Sequence, residues 1–285
     1  MNTPPLWPAR LHHLRRDSPD PERLAQWYAR LLGDALEPLA ADTWCVRGPG
    51  RLLVVGKGAA ATVPWFAIEA RDAAHLAAIR RGYEAAGLEA RASPSPLFRD
   101  GAFAIADPDG RQVAFGLSGG TSGIGAGATS LPGRLQHFVC ATTQLEAMTG
   151  FYRDRLGLLE SDRVLEAGDA GQALTAAFLR SDPEHHSFAA FRAPEARADH
   201  HCYETPGWMS IRDWADRMGD LRIPLWWGPG RHGPGNNLFF MIEDPDGHKV
   251  EFSAELELMP PQVAARSWPH EDRTLNLWGN AWMRS

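Results

Sequence analysis

A nine-residue segment occurs twice in this 285-residue chain, as DPDGRQVAF at 107–115 and as DPDGHKVEF at 244–252. In each copy Pro presets φ and Gly takes the positive-φ position of a turn. The alternating run that follows is typical of the return strand of a hairpin. The sequence LHHL at 11–14 similarly matches LQHF at 135–138. A chain that repeats both the start and the end of a unit is expected to fold as repeated modules.

The segments between these markers follow one order. Helix-like stretches occupy 21–32, 73–86, 144–156 and 208–218, and each follows a short apolar run that is typical of a strand. Further strand-like runs come after the helices, which gives the pattern βαβββ four times. The sequence therefore predicts an α+β fold in which four βαβββ modules pair into two domains.

A Gly/Ser-rich stretch separates the two halves and is typical of a flexible linker. We therefore predict a first domain at 1–117, a linker at 118–130 and a second domain at 131–256. The remaining tail, 257–285, is rich in Pro, Trp and charge.

Bulk composition argues against several classes of protein. The net charge of −6 gives no reason to expect nucleic acid or an anionic membrane as a partner. No apolar run is long enough for a bilayer span, and the N-terminal residues lack the pattern of a signal peptide. The three cysteines contain no CxxC pair, which argues against a disulfide framework. We expect a soluble, cytoplasmic protein.

Three candidate metal ligands lie in strand-like runs: His137, His201 and Glu251. Two imidazoles and one carboxylate are the ligand set of the facial triad of non-haem Fe(II) oxygenases, which leaves positions open for substrate and O₂. A Glu in an apolar run is costly to bury unless a positive group meets it. A single strand histidine is more often a core residue, but the module pattern places all three on strands that can line one cavity.

Five segments extend this pattern: LQHFV at 135–139, EHHSFA at 184–189, HH at 200–201, RHGPGNN at 231–237 and the second DPDG segment. In these residues and their spacing the chain resembles the two-domain type I extradiol dioxygenases of the vicinal oxygen chelate superfamily. The resemblance implies two vicinal-oxygen-chelate domains and an enzyme that opens the ring of a catecholic aromatic diol with O₂ as co-substrate.

The resemblance also implies residue roles. His137, His201 and Glu251 fall at the positions of the Fe(II) ligands, and Mn(II) is an alternative because the same ligands accept it. His186 and His232 fall at the positions of histidines that act on the substrate and on bound oxygen. Without the resemblance, both would be interpreted as ordinary surface or core histidines.

Four further residues are assigned to the substrate pocket: Trp208, Trp227, Asn237 and Met241. Met241 departs from the family pattern, because relatives usually carry a tyrosine three residues before DPDG, and Met cannot donate a hydrogen bond.

The first half lacks two of the three ligands. His13 matches His137, but Ala114 stands where the second half has Glu251, and VPWF at 63–66 contains no histidine. We expect this half to be metal-free and structural.

Two other functions stay open at this point. One is a different metal-dependent enzyme of the superfamily, an isomerase or a hydrolase. The other is a non-catalytic protein that binds an aromatic compound. The expected partners are a small aromatic diol and further copies of the chain in a homo-oligomer.

Overall fold

Two mixed β-sheets with helices packed against them make up the computed structural model, which describes residues 6–119, 130–168 and 171–283. The first sheet contains β1 Arg10–Ser18, β2 Ala35–Ala40, β3 Thr43–Gly48, β4 Arg51–Lys57, β5 Trp65–Glu69, β6 Arg91–Ala92, β7 Phe103–Ala106 and β8 Gln112–Gly116. The second sheet contains β9 Arg134–Thr142, β10 Leu159–Gly168, β11 Gly171–Arg180, β12 Phe188–Arg192, β13 Arg197–Thr205, β14 Trp227–Arg231, β15 Leu238–Glu243, β16 Lys249–Ala254 and β17 Arg266–Pro269.

Four of the five helices in the described residues lie where the sequence predicts them, and the fifth, in the tail, was not predicted. They are α1 Pro21–Leu32, α2 Ala73–Ala85, α3 Leu145–Gly150 continued by a π-helical turn Phe151–Arg155, α4 Trp208–Leu221 and α5 Asp272–Leu275. Asp20 caps the N-terminus of α1, where its side chain accepts from the Arg23 N–H, and Gly33 caps the C-terminus in the left-handed conformation. None of the helices in the described ranges has the length and apolarity that a bilayer crossing needs.

Strand order confirms the fold class. The first sheet runs β2-β3-β4-β1-β5-β8-β7-β6, and the second runs β14-β15-β16-β13-β9-β12-β11-β10-β17. Each sheet therefore joins two βαβββ modules through their opening strands, β1 with β5 and β9 with β13, which pair antiparallel. Both DPDG segments form the predicted turns, with Gly110 and Gly247 at φ 84°.

Every strand of the second sheet divides its side chains between two faces, because successive residues point to opposite sides. On the helix face, Phe138, Tyr203 and Phe252 join a continuous core with residues of α1 to α4 from both halves. The opposite side, which we call the pocket face, carries Val139, Phe178 and Leu275 of α5. This division decides which polar residues can meet.

Two reciprocal contacts hold the halves together. Tyr28 of α1 donates to Asp244 of the second DPDG turn at 2.8 Å, and Tyr152 of the π-helical turn donates to Asp107 of the first at 3.0 Å. Each carboxylate also pairs with an arginine, Arg16 for Asp244 and Arg111 for Asp107. The repeated turn sequence thus serves both as a hairpin and as a contact between halves.

The tail adds to the second sheet. β17 pairs parallel with β10, and α5 lies over the pocket face. The predicted linker falls largely on residues 120–129, which lie outside the described residues, so it stays a prediction, as do the domain bounds.

Candidate metal centre and pocket

Strand register brings a set of polar side chains to the pocket face. In β9 and β13, His137 lies opposite Cys202, and in β13 and β16, Cys202 lies opposite Glu251. Paired residues share a face, and so does the residue two positions along. His200 therefore joins His137, Cys202 and Glu251 on the pocket face.

The side chains converge closely. Nε2 of His137 lies 3.3 Å from Nε2 of His200 and 3.5 Å from Oε2 of Glu251, and the His200 Nε2 lies 3.0 Å from the same Oε2. Ligand bonds of about 2.1 Å at right angles separate their donor atoms by about 3 Å. The spacing of the three atoms therefore fits one face of an octahedral metal ion.

A neighbour orients each of these three side chains. Nδ1 of His137 donates to Oε1 of Gln136 at 2.5 Å, and Nδ1 of His200 donates to Oδ1 of Asp199 at 2.6 Å. Because each Nδ1 carries the proton, each Nε2 presents a lone pair to the centre of the cluster. Asn237 donates from Nδ2 to Oε1 of Glu251 at 3.2 Å.

The donor set calls for a cation. Two imidazole lone pairs and a carboxylate, all buried, face one another within 3.5 Å. An ionised carboxylate beside two lone pairs is stable only with positive charge between them, so these residues fit a divalent metal.

Cys202 is the competing donor in this cluster, because its Sγ lies within 4.8 Å of donor atoms of His137 and Glu251. Burial raises the pKa of the Cys202 thiol well above its ordinary value. Its Sγ also contacts the Ser253 hydroxyl at 3.1 Å. His200 is therefore the better third donor.

The structure corrects the assignment of His201 to the ligand set. His201 lies on the helix face, where its Nδ1 meets Nε2 of His248 at 3.0 Å and its ring contacts Tyr28. The physical reason is the two-residue period of a strand: His201 shares its face with Tyr203, which belongs to the core. In the sequence, His200 and Cys202 alternate with His201 and Tyr203. This alternation favours His200 as the residue on the pocket face.

A pocket opens on the cluster. It is lined by His137, His200 and Glu251 together with apolar side chains. The apolar wall is formed by Val139, Phe178, Phe191, Trp227, Met241 and Leu275. Leu275 comes from the tail, a contribution that no sequence motif indicated.

The two further predicted histidines line the same pocket. His186 stacks obliquely beside His137, with ring centroids 4.3 Å apart. Nδ1 of His232 donates to the Leu275 carbonyl at 2.5 Å, which directs its Nε2 to within 3.7 Å of Oε1 of Glu251. Both imidazoles are thus positioned beside the metal cluster.

The four predicted pocket residues separate into two groups. Met241 and Trp227 line the pocket, and Met241 lies opposite Glu251 in the β15–β16 pair. Trp208 does not: as the first residue of α4 it lies in the helix layer, is 45% exposed and packs against Trp278. Asn237 orients Glu251 instead of forming the wall.

Two of the three equivalent positions in the first half carry residues that cannot bind a metal ion. Register places His13, Trp65 and Ala114 where the second half has His137, His200 and Glu251. His13 is buried and its Nε2 contacts the Ser95 hydroxyl at 2.6 Å. Phe98 packs on the His13 ring with centroids 4.8 Å apart, so an aromatic side chain fills this face.

Comparisons with known proteins agree with this geometry. Residues 134–252 match the model of the Glyoxalase/Bleomycin resistance protein/Dioxygenase superfamily. Metapyrocatechase 2 of Cupriavidus necator is 35% identical over 154 residues, which are 52% of this chain and 45% of that protein. Biphenyl-2,3-diol 1,2-dioxygenase 3 of Rhodococcus globerulus is 31% identical over 136 residues, 43% of this chain and 63% of that protein. The chain thus matches about half the length of these relatives.

Among solved structures, homoprotocatechuate 2,3-dioxygenase from Arthrobacter globiformis superposes with a TM-score of 0.80 at 24% identity, covering 99% of this chain and 91% of the other. An Mn(II)-bound glyoxalase from Novosphingobium aromaticivorans gives 0.76 at 21% identity, covering 95% and 91%. Both show the fold over nearly the whole chain. Residues 134–252 accordingly resemble a domain of the Glyoxalase/Bleomycin resistance protein/Dioxygenase superfamily, and the chain has the fold of homoprotocatechuate 2,3-dioxygenase.

Proposed function

We propose that this protein is an Fe(II)-dependent extradiol dioxygenase, which opens the ring of a catecholic aromatic and adds both atoms of O₂ to it. The observation that carries the proposal is the convergence of His137, His200 and Glu251 on the floor of an apolar pocket. The relatives named metapyrocatechase and biphenyl-2,3-diol dioxygenase support the same chemistry.

Fe(II) bound by these three residues would supply adjacent open positions at which the diol and O₂ meet. Mn(II) fits the same donors. The residues around the metal have separate tasks. His186 accepts a proton from a diol hydroxyl, because a neutral imidazole beside the metal site is suited to general-base work. The apolar wall holds the ring and excludes water, which strengthens every electrostatic interaction in the pocket.

The wall also favours a class of catechol. A substituent that lies against Phe191 and Trp227 leaves water, and an ionised carboxylate there would lose its hydration. Arg231 cannot easily balance such a carboxylate, because its guanidinium already pairs with Glu255 at 2.9 Å and donates to the Asn236 carbonyl at 2.7 Å. We therefore expect alkyl-substituted or unsubstituted catechols to be better substrates than catechols with a carboxylate.

An aerobic assay of the Fe(II)-loaded protein tests this function. We expect a yellow ring-opened product from catechol and 3-methylcatechol, and a lower kcat/KM for 3,4-dihydroxyphenylacetate. No turnover of any catechol by protein that retains stoichiometric iron would refute the dioxygenase proposal. A preference for the carboxylated substrate would refute only the assigned substrate class.

Met241 supports keeping a second candidate, a metal-dependent isomerase or hydrolase of the same superfamily. A thioether lies beside Glu251 where extradiol relatives usually have a hydroxyl donor. Turnover of thiol adducts without O₂ would favour this candidate, and tight ligand binding without bound metal would favour a purely aromatic-binding protein. The homo-oligomer also stays a prediction, which light scattering on the purified protein tests.

A further inference from the structure

His186 is the end of a buried chain of hydrogen bonds that leads away from the pocket. Its Nδ1 lies 2.9 Å from Nδ1 of His185, and Nε2 of His185 lies 2.8 Å from Oδ2 of Asp162. The side chains of His185 and Asp162 are fully buried. None of the three belongs to the metal cluster, and no sequence pattern singled out Asp162.

Arg266 closes the far end of this chain. From β17 of the tail, its Nε donates to Oδ1 of Asp162 at 2.7 Å and its Nη2 to Oδ2 at 3.0 Å. A forked contact of this kind is made by an ionised carboxylate, which accepts hydrogen bonds and donates none. Nε2 of His185 must therefore carry the proton that it shares with Asp162.

The same arginine determines the charge of His185. Arg266 balances the buried charge of Asp162, and the other carboxylate on Arg266, that of Glu257, is 34% exposed and screened by water, so no unscreened negative charge is left to hold an imidazolium at the fully buried His185. His185 is then neutral, with a proton on Nε2 and a lone pair on Nδ1. A lone pair on Nδ1 of His185 requires that the facing Nδ1 of His186 donate to it.

We propose that Asp162 and His185, clamped by Arg266, are positioning residues that fix His186 in one tautomer, with the proton on Nδ1 and the lone pair of Nε2 available to the pocket. This tautomer is the one that can accept a proton from a substrate hydroxyl. The inference deepens the proposed function, on which the role of His186 in ring opening rests. The tautomer itself is independent of that function.

Nitrogen NMR of the full-length protein tests the tautomer directly. In ¹⁵N-histidine-labelled protein, metal-free and loaded with diamagnetic Zn(II), we expect a protonated Nδ1 and an unprotonated Nε2 for His186, and the reverse for His185. A His186 ring protonated on Nε2 alone would overturn the proposal in the wild-type protein, whatever the protein catalyses.

The variant Asp162→Asn tests whether Asp162 determines the tautomer of His186. The Asn amide group would turn its oxygen towards Arg266 and its NH₂ towards His185, which reverses both tautomers while the volume stays the same, as in serine proteases with an Asn at the equivalent position. We expect kcat for ring opening to fall by about 100-fold or more, with KM and bound iron nearly unchanged.

Glu257→Gln is the matched control, since Glu257 binds the same Arg266 at 2.6 Å but does not contact the His185 side chain. We expect it to retain kcat and both tautomers. If Asp162→Asn fails to fold, His185→Phe breaks the chain at the same point and should lower kcat in the same way. An unchanged kcat and unchanged His186 shifts in a folded variant of either kind would contradict the proposal. If the wild-type protein has the expected tautomers but opens no ring, only the proposed function is refuted, and the inference about the tautomers stands.

Discussion

The two halves of this chain share a topology and differ in what their pocket faces contain. At three equivalent positions the second half has His137, His200 and Glu251, and the first has His13, Trp65 and Ala114. In the second half the donors face a pocket, whereas in the first Phe98 packs against His13. The comparison teaches that the module supplies the geometry and that a few side chains decide whether a face binds a ligand or is filled.

The largest expected effect tests the ligand set within the second half. His200→Ala should abolish metal binding and reduce ring opening by far more than the roughly 100-fold that is typical of losing an outer-shell partner. Its neighbour is the matched control: His201→Ala should keep the metal and lose about 2 kcal/mol of stability, since it removes a buried contact with His248. Metal content per folded chain measures both. If only His201→Ala lost the metal, the ligands would be His137, His201 and Glu251, as the sequence predicted.

The contacts between the halves give the next largest effect. Asp244→Ala leaves the fully buried Arg16 without its carboxylate and should cost about 3–5 kcal/mol in the free energy of unfolding. Asp107→Ala should cost roughly 1 kcal/mol less, because Arg111 keeps a small exposure to solvent, which Arg16 lacks, and lies over the Phe138 ring. Urea unfolding of both variants measures the difference. Equal losses would show that the two contacts are energetically equivalent.

A smaller effect is expected on the filled face of the first half. Phe98→Ala removes a half-buried ring that packs against His12 and His13 and should cost about 2 kcal/mol. Because this face lacks the second and third donors, the variant should still bind one metal ion per chain and keep its kcat. A second bound ion would contradict the structural role that we assign to the first half.

The last effect is fully developed only above neutral pH and concerns Glu204, which accepts hydrogen bonds from Ser253 and from the Leu256 N–H. Burial raises the pKa of Glu204 to about 7. The folded state therefore holds this proton more tightly than the unfolded state, and stability present at pH values below about 4.5 is lost as the pH rises to about 7. Glu204→Gln should remove this loss and gain about 1–3 kcal/mol at pH 8.

The register-equivalent residue of the first half is Glu69, which accepts from the Ser118 N–H. Glu69→Gln is the matched control for the same substitution at the equivalent strand position. The measurement is the free energy of unfolding in urea between pH 5 and pH 8. An unchanged slope in Glu204→Gln would contradict the assignment to Glu204.

Repetition in the sequence was sufficient for the fold. The DPDG turns and the four helix-like stretches identified the modules, because turn chemistry and hydrophobic period are local properties. The resemblance to extradiol dioxygenases indicated His186, His232 and Met241, and Trp227 was indicated by its position near the predicted ligands in the sequence. All four line the pocket. Trp208 was misassigned because closeness in sequence to a strand does not place a helix residue on the pocket face.

By itself, the sequence determined the kind of site: two histidines and a glutamate on strands of the second half, and a first half without them. Only the tertiary structure decided that the second histidine is His200 and not His201, that the tail supplies Leu275, and that Asp162 holds His185 behind His186. The physical reason is that strand register fixes the face of every side chain. Register depends on pairing between residues 49 or more positions apart, which local patterns do not encode.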